Sequence, residues 1–169
     1  QLGAVYVARK VSEEQAEKIR KMDLAGIYFT EESKRFYPKG NLASHIIGFA
    51  GIDSQGLQGV ELSYDKELRG KPGRISIEND AIGREIPKGV KDYIAPDDGN
   101  NIYLTIDHVL QYITERELDQ AMTEHDAKAG TIVMMNPQTG NILALANRPT
   151  YDPNDFADYK PRLWRNRAV

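Results

Sequence analysis

The chain has no cysteine. That excludes disulfides, thiolate metal sites and a thiol nucleophile together, and it suits a reducing cytosol and a bacterial envelope equally well. Long apolar runs are also missing: Ile46–Phe49 and Ile132–Met135 are among the longest, far below the ~20 residues of a membrane span. Neither an initiator methionine nor a signal peptide opens the chain, which starts at Gln1 as though something upstream had been removed. Charge of one sign is lacking as well. Lys and Arg number 22 against 25 Asp and Glu, interleaved along the chain for a net of −3, so no basic stripe exists for a nucleic-acid backbone and no nucleic-acid partner is expected. His45, His108 and His125 have no metal-ligand spacing and read as surface or capping residues. Asp152, Asp155 and Asp158 lack the glycine and bidentate glutamate of a calcium loop and read as a solvated segment. Gly51, Gly56 and Gly59 are not followed by the Gly-Lys-Ser/Thr of a phosphate loop. No cofactor is implied.

What remains is an ordinary globular composition, 40% hydrophobic and 28% charged over 169 residues, long enough for one to two domains. Residues 4–8 read as a short strand. Ser12 and Gln15 form a capping box that opens a helix turning Ala16, Ile19 and Met22 inward, with Gly26 just past its end. Ile27–Thr30 is strand-like by propensity. Leu42–Phe49 reads as a helix with Leu42, Ile46 and Phe49 on one face, and Val60–Leu68 as another with Val60, Tyr64 and Leu68 aligned. Arg74–Glu78 alternates as a half-buried strand should. The segment 79–100, rich in Gly and Pro, is the best boundary candidate.

Beyond it, Ile102, Leu104 and Ile106 predict a strand, and Asp107 is a plausible N-cap for a helix over about 108–125. Leu110, Ile113, Leu118, Ala121 and Met122 form its apolar stripe, leaving Glu115, Arg116, Glu117 and Asp119 to water. A hairpin follows: Thr131–Met135, a turn over Asn136–Gly140, then Asn141–Ala146. Its first strand is apolar on both faces and should be covered on both. A helix and a single hairpin do not close a core, so further strands and helices are expected beyond Val169. Exposed hairpin edges also predict self-association or strand swapping.

The stretch Gly130–Ala146 with Arg148-Pro149-Thr150-Tyr151-Asp152-Pro153-Asn154 resembles the opening of a penicillin-binding transpeptidase domain. Arg35-Phe36-Tyr37-Pro38 resembles that family's Arg-x-Tyr-Pro segment. Leu42-Ala43-Ser44-His45 and Gly59–Gly70 resemble the pedestal, or dimerisation, domain of class B penicillin-binding proteins. Gly83-Arg84-Glu85-Ile86-Pro87 and Leu104-Thr105-Ile106-Asp107 look most like the sporulation-specific stage V type, a division- or elongation-type member being the next choice. The resemblance implies an α+β fold. An elongated pedestal of short strands and helices (about 1–100) would precede the first helix and β-hairpin of a transpeptidase domain (about 101–169). It further implies a parent anchored to the extracytoplasmic face of the bacterial membrane through an upstream helix, cross-linking peptidoglycan by D,D-transpeptidation. Implied partners are the rest of the transpeptidase head in cis and cell-wall synthesis membrane proteins such as a polytopic glycan polymerase.

That chemistry needs Ser-x-x-Lys, Ser-x-Asn and Lys-Thr-Gly segments. Ser63-Tyr64-Asp65-Lys66 matches the first by spacing, but it lies in the pedestal-like stretch and reads as a solvated helix face. Gln138-Thr139-Gly140 lacks the lysine and sits in a turn, and Ser-x-Asn does not occur. In the family, Arg165–Val169 leads shortly into the nucleophile's helix. The chain therefore reads as a non-catalytic scaffold with no acyl transfer of its own; a stand-alone extracytoplasmic binding module is the competing reading. Candidate interdomain or partner contacts are Arg35, Tyr37, Pro38, Gly59, Glu61, Tyr64, Asp65 and Arg69, with Arg35 and Glu61 expected to form an ion pair or bond to loop backbone.

Overall fold

The computed structural model describes residues 5–79 and 85–169. Its elements are helices α1 (Glu13–Arg20), α2 (Ser44–Ile47), α3 (Gly59–Ser63) and α4 (Asp65–Arg69), strands β1 (Arg74–Asn79) and β2 (Glu85–Ile94), helix α5 (His108–Glu124), strands β3 (Gly130–Met135) and β4 (Ile142–Arg148), and two 3-10 turns at Pro153–Asp158 and Pro161–Leu163. The fold is α+β, with two separate two-stranded antiparallel sheets. Among the described residues no helix is long and apolar enough to cross a membrane.

Local signals build several of these elements as expected. The Gln15 amide N–H donates to Ser12 Oγ at 3.2 Å and the Ser12 N–H to Gln15 Oε1 at 3.1 Å, the reciprocal arrangement that opens a helix. Asp107 Oδ1 accepts from the N–H groups of Val109 (2.8 Å) and Leu110 (3.0 Å) and starts α5, which holds its carboxyl below the usual range. The Asn136–Gly140 turn closes β3 onto β4, with Asn136 Oδ1 accepting from Gln138 N–H and Gly140 at φ +76°.

Elsewhere tertiary context overrides pattern. Residues 5–8 and 27–30 form no strand; Val5, Tyr6, Val7 and Tyr28 stand 70–91% exposed, and β-propensity without a partner strand does not make a ladder. Ala4, Gly83 and Arg84 lie outside the described residues. Of the expected inward face of α1 only Ala16 is buried, and Met22 is 63% exposed. The 42–49 helix shrinks to Ser44–Ile47, because Ala43 sits at φ +55° and Gly48 at φ +77°. The 60–68 helix breaks at Tyr64, whose φ of −120° is not helical. The boundary segment 79–100 carries β2, paired with β1 from Arg74↔Ile94 to Asn79↔Glu85. Pro87 and Gly89 fit there because a strand of a two-stranded sheet is an edge and the register shifts on both sides of Ile77. Residues 102–106 form no strand either. Thr105 Oγ1 donates to Ile142 O, and the N–H of the neighbouring Asp107 donates to Leu143 O.

The core is aromatic and joins distant parts of the chain. Tyr37, Phe49 and Tyr151 are buried, with Ile47, Phe156, Tyr159 and Trp164 packed around them. Phe49 stacks on Phe156 at 4.2 Å and meets Tyr151 and Trp164 edge-on at 5.8 and 5.0 Å. Burying each such ring contributes about 1.5–3 kcal/mol. Gly48 permits the close approach that seats Phe49: a β-carbon there would lie 1.8 Å from the Gln58 carbonyl oxygen. β3, expected to be covered on both faces, is not so covered among the described residues, since Val133, Met134 and Met135 are 37–55% exposed. The α5 helix packs on one face of the hairpin, where Ala144 and Ala146 are buried.

Candidate functional site

Two polar clusters flank the aromatic core. In the first, Arg35 Nε reaches Glu61 Oε1 at 2.8 Å and Nη2 reaches Oε2 at 3.0 Å, a two-pronged pair. The Tyr37 hydroxyl donates to Glu61 Oε1 at 3.3 Å and accepts from the Ala50 N–H at 2.9 Å. Glu61 is 8% exposed and Tyr37 equally buried; burial, then the Glu61 charge, push the Tyr37 hydroxyl's pKa up. Gly59, at φ +58°, lets α3 begin against residues 46–48, where a β-carbon would meet the Ile46 oxygen at 2.4 Å. Asp65 accepts from Gly56 N–H at 2.7 Å and pairs with Arg69 at 2.9 Å, and the Gly56 N–H is the main reason its carboxyl is held low. Arg35, Tyr37 and Glu61 thus meet directly, and Gly59, Asp65 and Arg69 shape the adjoining α3–α4 segment. Pro38 and Tyr64 face solvent.

The second cluster overturns the reading of α5. Its inward face is Gln111, Thr114, Glu115 and Leu118, while Ile113 is 38% exposed. Glu115, expected in water, is buried together with Arg148. Its Oε1 accepts from the Ala43 N–H at 2.8 Å and from Gln111 Nε2 at 2.7 Å, and its Oε2 pairs with Arg148 Nη2 at 3.3 Å. Arg148 is gripped on its outer side by Asp119, with Nη2 to Oδ2 at 2.8 Å. That grip raises the proton affinity of the guanidinium and lowers the Asp119 carboxyl. A carboxylate buried alone would be costly, and these three donors make the site tenable. Gln111 also acts as a strand mate for β4, donating to the Leu145 carbonyl and accepting from its N–H, each at 2.8 Å.

Segment 37–49 is fastened further to the end of the chain. Asn154 pairs with both the N–H (2.9 Å) and the carbonyl (3.0 Å) of Tyr37. Tyr151 donates to the Ser44 carbonyl at 2.9 Å, and Ser44 Oγ lies 2.9 Å from Thr150 Oγ1. His45, expected as a surface or capping residue, is buried, with Nε2 2.9 Å from the Leu163 carbonyl. Sequence reasoning missed Gln111, Glu115, His45 and Arg148; the one available signal was that the polar residues Gln111, Thr114 and Glu115 share a helical face with the apolar Leu118.

The chemistry open to these groups is structural. Ser44 Oγ lies 3.4 Å from His45 Nδ1, but Ser44 is 1% exposed and already engaged with Thr150, so it is shielded from substrate. Ser63 and Lys66 are exposed on separate helices. Among the described residues no three His, Asp or Glu gather as a metal site requires.

The profile of the penicillin-binding protein dimerisation domain matches residues 1–104, and that of the penicillin-binding protein transpeptidase domain matches residues 130–169. The chain belongs to the penicillin-binding proteins, in their class B branch. Among its relatives, the stage V sporulation protein D of Bacillus subtilis is 43% identical over 162 residues, covering 95% of this chain and 25% of that protein. The peptidoglycan D,D-transpeptidase FtsI of Escherichia coli is 40% identical over 167 residues, covering 98% and 28%. Solved structures of a peptidoglycan synthetase from Bifidobacterium adolescentis (TM-score 0.68, 28% identity, 91% of this chain and 28% of that one) and of penicillin-binding protein 2X from Streptococcus thermophilus (0.65, 28%, 92% and 24%) share the fold. The chain spans about a quarter of the length of the curated relatives it matches.

Proposed function

We propose that this chain is the non-catalytic scaffold and interaction portion of a penicillin-binding protein that cross-links peptidoglycan during spore-cortex or septal wall synthesis. Residues 1–100 act as the pedestal and residues 101–169 begin the transpeptidase domain. The parent sits on the extracytoplasmic face of the membrane, anchored by a helix upstream. Its partners are the transpeptidase head in cis and a polytopic glycan polymerase, with self-association through the exposed β3 edge. The observation that supports this best is the joint itself: Tyr37–Phe49 is built into the surroundings of α5, β4 and residues 150–164 by buried polar bonds and stacked rings. A part whose buried groups go into joining two segments, with its shortest Ser–His approach sealed from solvent, is suited to transmitting position.

The test is charge reversal, Glu61→Lys, in the full-length parent, reading melting temperature and partner-dependent cross-linking. Loss of either supports the scaffold role of this region. Both unchanged would overturn it.

A further inference from the structure

His45 is a buried imidazole with a fixed proton. The Leu163 carbonyl has no proton to give, so Nε2 must carry the N–H that spans the 2.9 Å between them. Nδ1 is then bare and faces Ser44 Oγ at 3.4 Å, while the ring meets Tyr151 edge-on at 5.2 Å. The charged groups around it come from three elements. Arg167, from the segment just past Leu163, and Arg148, from β4, both oppose a positive charge on the ring, and Glu115 of α5 favours it. Glu115 is already committed to Arg148, Gln111 and Ala43. A second proton on His45 would therefore place in a buried site a positive charge that Arg167 and Arg148 oppose, offset only by the Leu163 carbonyl and by one carboxylate shared among other donors.

We propose that His45 is an acid-sensitive pin: buried and neutral, it holds residues 161–164 against α2, and because a charged ring is costly to bury, protonation favours the form in which those residues have come away. The bond it makes ties α2 to the 3-10 turn Pro161–Leu163, and Trp164, the next residue, packs into the aromatic cluster on Phe49. Burial holds the imidazole's pKa below its ordinary value of 6.5. A form that keeps His45 buried thus binds the proton more weakly than a form that exposes it. The stabilisation that the neutral ring gives the attached state is fully present above pH 6.5 and is progressively lost as pH falls below that value. The inference goes beyond the scaffold reading and does not depend on it.

Trp164 is the chain's single tryptophan, so its emission reports release directly. Emission of the purified chain is followed from about pH 8 to about pH 5 at constant ionic strength, a range that brackets the imidazole titration. The expected result is a reversible red shift whose midpoint lies below 6.5, absent in His45→Gln. Arg167→Gln, on an exposed side chain, removes a charge that opposes the proton in the attached form and should move the release midpoint downward while leaving the neutral-pH spectrum unchanged. An invariant native spectrum, or the same transition in folded His45→Gln, overturns the proposal. Should His45→Gln fail to fold, an unmoved midpoint in Arg167→Gln overturns it.

Discussion

Glu61→Gln is the sharpest probe of the Arg35–Tyr37–Glu61 cluster, because it keeps the shape and removes the charge. Glu61 receives two bonds from Arg35, at 2.8 and 3.0 Å, and one from Tyr37 at 3.3 Å. A bond to a charged partner is worth about 1.5–3 kcal/mol and a neutral one about 0.5–1.5 kcal/mol, so neutralising Glu61 removes roughly 1 kcal/mol from each Arg35 bond. The amide also presents an N–H toward Arg35, setting donor against donor. Arg35's side chain is 41% exposed, so water recovers part of the loss, and the net cost is about 1–2 kcal/mol. For a chain of this size that lowers Tm by about 2–8 °C. The assay is urea unfolding, which leaves ionic strength alone, on Glu61→Gln, Arg35→Gln and the double variant. The double variant should be less destabilised than the sum of the singles, by about 1 kcal/mol. Strict additivity would refute the claim that these residues act as one unit.

Three further outcomes follow from the geometry. Gln111→Leu strands the N–H and carbonyl of Leu145 and one contact of Glu115, and urea unfolding should show a loss of about 3 kcal/mol; a loss below about 1 kcal/mol would mean that Gln111 does not hold β4. Gly48→Ala places a β-carbon 1.8 Å from the Gln58 oxygen and should abolish soluble folded protein, whereas Gly140→Ala, at φ +76° with nothing within 4 Å, should cost only about 1–2 kcal/mol; equal effects in circular dichroism melts would contradict this. Asp119's carboxyl is held below its ordinary 3.8, chiefly by Arg148's hydrogen bonds, so its stabilisation is present above that value and lost as pH falls through the folded one. Asp119→Asn should therefore flatten the acid limb of the melting curve, and an unchanged limb would argue against the pairing.

What could be read from sequence divides along local and distant causes. The capping box at Ser12–Gln15, the Asp107 cap and the Asn136–Gly140 turn act within a few residues, and each stands where the pattern placed it. Arg35 and Glu61 came together through family resemblance rather than through any periodicity. Glu115 was misread because its partners lie at Ala43 and Arg148, 72 and 33 residues away; a glutamate on a helix says nothing of an arginine arriving from another strand. His45 was misread for the same reason, its acceptor lying 118 residues on. The strands expected at 27–30 and 102–106 had the propensity but no partner among the described residues. Residues 151–164 carry no repeating pattern, yet supply Tyr151, Phe156, Tyr159 and Trp164 to the core.

The central claim is that this chain supports chemistry performed elsewhere, and intact mass after incubation with excess benzylpenicillin tests it most directly. The account predicts a folded chain with no adduct, because Ser63 and Lys66 stand exposed on separate helices and Ser44 is sealed beneath Thr150 and Tyr151. A stable one-to-one adduct on any serine would contradict it and make the chain a catalyst in its own right.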